Sequence, residues 1–277
     1  MVKIIADSCC DLSPELIEKF EIEIIPLSVF INNQNYLDGV EISAAELFEA
    51  VRKSGSLQKT SAPPVAAFCD VFQKYPEFIS FSISSKLSAS YQSASIAKQS
   101  LPNVKGILID SLSLSTGIGL LVLAAAEMAQ KNESLEQIMA KINPLIPKTN
   151  ASFVIDTLDY LYMGGRCSSM EHVVGSLLKI RPVIEVKKDG TLGVKEKVSG
   201  SRKKALNLML ENFAKNKESI DPTRVFVTHS ACPNDAEFLY DEIKKIMNIQ
   251  NLYITEAGST IASHCGPNTI GILYLNK

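Results

Sequence analysis

The 277 residues are 46% hydrophobic and 21% charged, with a formal net charge of −2, the balance of a soluble globular protein with no bulk attraction for nucleic acid. The length exceeds that of a usual single domain, so two lobes are expected. The six cysteines, Cys9, Cys10, Cys69, Cys167, Cys232 and Cys265, form neither a C-x-x-C pair nor a disulfide framework, and the chain opens on a strand rather than a basic-then-apolar leader; reduced thiols and a cytoplasmic setting are predicted.

Val2 to Ala6 form the first predicted strand, ending at Asp7-Ser8, and Ser13-Pro14 opens a helix through about Phe20. Ile22 to Ile31 read as extended structure with Asn32-Asn33 as a turn, and Ser43-Ala44-Ala45-Glu46 is a capping box before the next helix. Lys59-Thr60-Ser61-Ala62-Pro63-Pro64 is a hydroxyl-bearing, proline-stiffened entry into a helix near Val65. Ile79, Phe81 and Ile83 alternate with serines as a strand, and the hydroxyl run Ser84 to Ser95 leads into a helix where Ala94, Ile96, Ala97 and Leu101 restore helical spacing. Gly106 to Asp110 form another strand. The apolar run Ile118 to Ala126, closed by Glu127, is far shorter than the ~20 residues of a membrane span and is predicted as a buried helix. Strands alternating with helices predict a parallel sheet covered on both faces in this half.

Ser134-Leu135-Glu136-Gln137 caps a further helix, after which Pro144, Pro147 and Lys148-Thr149-Asn150 punctuate the chain. The lobe boundary is placed there, giving an N-terminal α/β lobe over 1–149 and a mixed α/β lobe over 150–277. A hairpin over 182–198, turning at Asp189-Gly190, introduces antiparallel pairing in the second lobe. Later strands are predicted at 224–228, 252–255 and 270–275, with helices near 234–247 and 259–263.

The hydroxyls after Ile83 lie where a strand passes into a helix, whose first turn has unpaired N–H groups and a positive dipole end. A carboxylate or phosphate fits there, the plain alternative being a serine-capped turn. Thr60-Ser61 supplies a second hydroxyl turn, and two such turns can face one ligand. His264-Cys265-Gly266, ahead of Pro267, places an imidazole in a loop, either donating to an acidic head group or satisfying a backbone carbonyl. Tyr160-Leu161-Tyr162-Met163-Gly164-Gly165-Arg166 ends a helical turn at a glycine pair and offers Arg166 before a new helix; Arg202-Lys203-Lys204 opens another. Two basic features in one lobe suit the docking of a phosphate or an acidic partner surface, against the plain reading of solvated arginines. No Walker loop, G-x-G-x-x-G fingerprint or G-x-S-x-G elbow is present, and His172, His229 and His264 lack ligand spacing, so no metal or cofactor is expected.

Five segments, in order, resemble the DegV family of bacterial fatty-acid-binding proteins, which includes the FakB-type subunits of fatty acid kinase. Asp7-Ser8-Cys9-Cys10-Asp11-Leu12 is similar to its D-S-x-x-D-L opening, Thr60-Ser61-Ala62-Pro63 to T-S-Q-P, and Leu87-Ser88-Ala89-Ser90-Tyr91 to L-S-G-T-Y. Tyr160 to Arg166 resembles Y-L-x-x-G-G-R, and His264 to Gly271 resembles the closing H-x-G-x-G-x-x-G. The resemblance implies a two-lobed α/β protein holding one long-chain, palmitate-like fatty acid in a tunnel between or beside the lobes. Thr60, Ser61 and Ser88 would bind the carboxylate, with His264 nearby, and Arg166 and Arg202 would engage a fatty acid kinase subunit or its phosphate. Such a carrier is not itself a catalyst; the kinase converts the bound acid to an acyl phosphate, and membrane contact is transient. Ala62, Ala89 and Pro267-Asn268 depart from the family pattern, and Cys9, Cys10 and Cys167 read as small buried residues.

Each methylene removed from water is worth roughly 0.8 kcal/mol, so a tail of about 14 to 18 carbons contributes on the order of 10 kcal/mol before binding costs. Neutral hydroxyls add a charge-assisted hydrogen bond of ~1.5–3 kcal/mol, enough to orient the head group. The residues also admit an acyl or phosphate-ester hydrolase using Ser88 or Cys265 with His264. A third reading is an accessory subunit of a dihydroxyacetone-kinase-like phosphotransfer system, in which protein docking outweighs lipid.

Overall fold

The computed structural model describes residues 1–55, 58–166 and 180–277. The helix expected after Arg166, with Cys167 and His172, lies outside them. In chain order the first half runs β1 (Lys3–Asp7), α1 (Pro14–Lys19), β2 (Glu23–Ile25), β3 (Ser28–Ile31), β4 (Gln34–Leu37), α2 (Ala44–Ser54), β5 (Lys59–Ser61), α3 (Val65–Phe72), β6 (Glu77–Ser82), α4 (Ser90–Gln99), β7 (Lys105–Asp110), α5 (Thr116–Gln130) and α6 (Leu135–Ile142). The second runs β8 (Thr149–Val154), α7 (Asp159–Met163), β9 (Ile180–Val186), β10 (Leu192–Ser199), α8 (Arg202–Asn216), β11 (Ile220–Ser230), α9 (Pro233–Ile246), β12 (Asn251–Glu256), α10 (Ser259–Cys265) and β13 (Thr269–Asn276).

The described residues form three sheets. β2-β1-β6-β7 is all parallel, as the alternation of strands and helices requires. β10-β9-β8-β13-β11-β12 is mixed, with β11 and β12 its parallel pair. The third, β4-β3-β5, is antiparallel and corrects the expectation that antiparallel pairing begins in the second half. Its hairpin turns at Asn32 and Asn33, both at positive φ, the conformation of a two-residue turn that matches strand twist.

Side-chain alternation stacks these sheets into layers. Ile5 and Phe78 face α3 and α4, packing with Phe68, Phe72, Ala94 and Ala97, whereas Ile4, Ala6, Ile79 and Phe81 point the other way, toward α5. On the mixed sheet Val225, Val227, Ile270 and Ile272 face α8 and α9, and Phe226, Leu273 and Phe153 turn inward to the same core as α5. Helix α5 thus lies between two sheets, with Ile118, Leu120, Leu121, Val122 and Leu123 fully buried. A helix apolar on all sides is the sequence of one covered on all sides.

Every strand of the parallel and small sheets comes from residues up to 110 and every strand of the mixed sheet from 149 onward, yet one core spans both. Ala262 of α10 reaches back to pack with Val29, Ile31 and Leu47 of the small sheet and α2. No helix among the described residues is long and apolar enough to cross a membrane.

Candidate functional site

At the carboxyl end of the parallel sheet, beside the point where β1 and β6 diverge to opposite neighbours, a space of about 820 Å³, continuous with solvent at its open side, lies against the inner face of the mixed sheet. Open parallel sheets offer their crevice at such a switch point. Its walls are largely apolar, with Leu27, Ile83, Leu114, Phe153, Leu192 and Leu273 among them. Thr60, Ser61, Ser88, Arg166 and His264 also line it, so five residues from four separate sequence motifs converge on one cavity. Thr60, Arg166 and His264 also border a second depression, and Ser88 and Arg166 a third; these side chains mark the mouth.

Ser88 lies in the loop between β6 and α4. That loop is held by Ser84, which donates to the Gly190 carbonyl in the β9–β10 turn at 2.8 Å, and by the Ser85 N–H, which donates to Asp110 at 3.1 Å. Ser88 Oγ accepts the Ser90 N–H at 3.2 Å and lies 3.0 Å from Ser90 Oγ. Thr60 and Ser61 come from β5, an edge strand paired to β3.

His264 occupies the last turn of α10, which corrects its expected place in a loop: Gly266 at φ +77 and Pro267 end the helix only after it. Its Nε2 lies 2.7 Å from Thr60 Oγ1. Its Nδ1 is buried without a hydrogen-bond partner among the described residues. A Cβ on Gly164 would sit 2.1 Å from that Nδ1, so the first glycine of the Gly-Gly pair makes room for the imidazole, while Gly165 at φ +70 makes the bend. Burial, reinforced by the Arg166 charge, depresses the His264 pKa to about 4; the ring is neutral at neutral pH. With the ring proton on Nε2, the imidazole donates to Thr60 Oγ1 and the threonine hydrogen is free for an acceptor in the cavity; with it on Nδ1, Thr60 donates to the ring instead.

Arg166 is half-buried and donates from Nε to the Leu87 carbonyl at 3.0 Å and from a terminal nitrogen to the Gly164 carbonyl at 2.6 Å. It therefore ties the glycine turn to the serine loop and brings positive charge to the mouth, which neutral hydroxyls alone would not. Arg202 stands apart from the cavity. It is engaged by Asp235, by Asp156 and by the Asn268 carbonyl, so its Nε and one terminal nitrogen are held by acceptors of the second half of the chain.

The Cys265 thiol is pushed up to about 12 by burial and is protonated at neutral pH. Ser88 Oγ pairs with Ser90, and His264 Nε2 with Thr60; neither candidate nucleophile is hydrogen-bonded to the imidazole, the arrangement an activated nucleophile requires.

Sequence reasoning missed Asp38. It is buried and accepts from Ser8 Oγ at 2.7 Å and Ser259 Oγ at 2.6 Å. Beside it Asp11 accepts from Ser115 Oγ at 2.5 Å and the Gly258 N–H at 2.9 Å. The two carboxylates pin the start of α10, and so the helix that carries His264, to the first loop of the chain. Only the Asp-Gly turn signal marks Asp38 in the sequence.

Fold and site together define an α/β protein whose two larger sheets flank an apolar cavity with a polar mouth. The chain belongs to the DegV family: the family model described as "Uncharacterised protein, DegV family" matches residues 1–277. A DegV domain-containing protein of Clostridium acetobutylicum is 33% identical over 281 residues, covering 100% of this chain and 99% of its own. The solved fatty-acid-binding DegV family protein of Thermus thermophilus superposes with a TM-score of 0.93 at 29% identity, covering 100% of this chain and 99% of its own. A stearic acid-binding protein of Eubacterium ventriosum superposes with a TM-score of 0.86 at 30% identity, with the same coverage.

Proposed function

We propose that this protein binds one long-chain fatty acid, with the tail in the cavity between the sheets and the carboxylate at its mouth. The observation that carries this reading is the polarity of a single cavity: largely apolar walls, with Thr60, Ser88, His264 and Arg166 shared between it and the depressions at its mouth. Fatty acid binding by the Thermus thermophilus and Eubacterium ventriosum neighbours supports it. The hydroxyls of Thr60 and Ser88 donate to the carboxylate, neutral His264 holds Thr60 in its donating orientation, and Arg166 supplies the compensating charge. The protein acts as a cytoplasmic carrier rather than a catalyst. A kinase partner meets the acid at the mouth, where Arg166 lies, and transfers the terminal phosphoryl group of ATP to the carboxylate oxygen, giving acyl phosphate and ADP.

Organic extraction of the purified protein followed by mass spectrometry is the direct test, with a long-chain acid expected in the extract. Protein that yields none and also fails to bind added palmitate would overturn the reading. Ester turnover that disappears on His264→Ala would replace it with the hydrolase.

A further inference from the structure

Gly271, the last glycine of the closing motif, has no part in the head-group site and no turn to make. It lies within β13, an interior strand of the mixed sheet whose inner and outer faces are both covered. Glycine weakens a strand interior, and one retained there marks a place where something approaches the backbone closely.

The register identifies that place. Gly271 pairs with Thr228 of β11 on one side and with Phe153 of β8 on the other, and all three line the cavity. Along β13 the next residues on the same face, Thr269 and Leu273, line it too. With strands about 4.8 Å apart, a missing side chain in the middle of the row leaves a trough between Thr228 and Phe153, floored by bare backbone. A Cβ built at Gly271 would lie 3.2 Å from both Leu273 Cδ1 and Phe153 Cβ and 3.0 Å from the Ser152 carbonyl oxygen. Even a methyl crowds this row, and a branched side chain would project into the cavity. Gly271, Thr228, Phe153 and Leu273 border the main cavity but neither of the depressions at its mouth, so the trough belongs to the interior, where the tail of a ligand held at Thr60 and Ser88 must run.

The geometry points to Gly271 as a determinant of acyl-chain length: methylenes far from the carboxylate rest on the bare backbone of β13, and a side chain there shortens the chain the protein accepts. This inference rests on the fatty-acid reading above. Its test is a set of binding isotherms for octanoate, laurate, palmitate and stearate with delipidated wild-type protein, Gly271→Ala and Gly271→Val, each checked for native circular dichroism. In Gly271→Val, affinity for palmitate and stearate is expected to fall roughly tenfold or more while octanoate changes by less than about twofold. Gly271→Ala, the smallest change and the one that carries the test where valine prevents folding, is expected to weaken stearate more than laurate. Adding Leu273→Ala, which removes one of the crowding atoms, should restore part of the loss. Folded variants that weaken every chain length equally, or that bind stearate as the wild type does, would overturn the inference. A wild type that binds none of the four acids would instead overturn the fatty-acid reading itself.

Discussion

Thr60 is the residue on which the head-group site turns, since it both meets His264 and faces the cavity. Thr60→Val keeps the shape and removes the donor, so palmitate affinity measured by calorimetry is expected to fall roughly 10- to 100-fold, the equivalent of one charge-assisted hydrogen bond. Ser88→Ala should act in the same direction, and unchanged affinity in both variants would remove the carboxylate from this end of the cavity. Thr60, Ser61, Ser88, Arg166 and His264 could be singled out because each sits in a short contiguous motif; residue types alone left a plain structural reading beside each, and it was the family resemblance that joined them into one expected site. What Gly164 does was not legible. The atom it makes room for, His264 Nδ1, comes from a helix far along the chain, and a glycine beside another glycine reads as a bend.

Elements with a strong local signal formed as read. Ser43 with Glu46 and Ser134 with Gln137 make reciprocal capping boxes, and the apolar run after Ser115 became the buried helix α5. Because Leu121 is fully enclosed, Leu121→Ala should cost about 2–5 kcal/mol in urea denaturation, the range for a buried leucine whose neighbours cannot fully collapse. A loss below about 1 kcal/mol would mean that α5 is not clamped between the sheets. β3 and the Asn32-Asn33 turn of the small sheet were read, but its strands β4 and β5 escaped for a physical reason. Its strands span three or four residues, Gln34 to Leu37 carry little apolar content, and their burial comes from α2 and α10, elements a periodicity argument does not place beside them.

Across the whole molecule, buried titratable groups set opposing pH dependences. Burial pushes the Asp7 carboxyl up to about 7, although the Ile83 N–H donates to it at 2.9 Å. The folded state therefore holds a proton that the unfolded chain releases above about pH 4, and stability from this group, complete below that, is lost as pH rises to 7. His264, depressed to about 4, acts inversely: its contribution is complete above about pH 6.5 and is lost as pH falls toward 4. Asp7→Asn keeps an acceptor for Ile83 and cannot ionise. Relative to the wild type its urea midpoint is expected to climb steadily between pH 4 and 7 and then level off; a difference constant across that range would show that Asp7 titrates normally.

Local chemistry was enough to specify the strand–helix alternation, the capped helices and the hairpin at Asp189-Gly190, because propensity, capping and turn formation act over a few neighbouring residues. The layering of two sheets around α5, the placement of His264 in a helix held by Asp11 and Asp38, the contacts of Arg202 with Asp156 and Asp235, and the bare backbone of Gly271 on the cavity wall emerged from packing. Each joins side chains distant in sequence, and a volume left empty between them has no residue of its own to announce it.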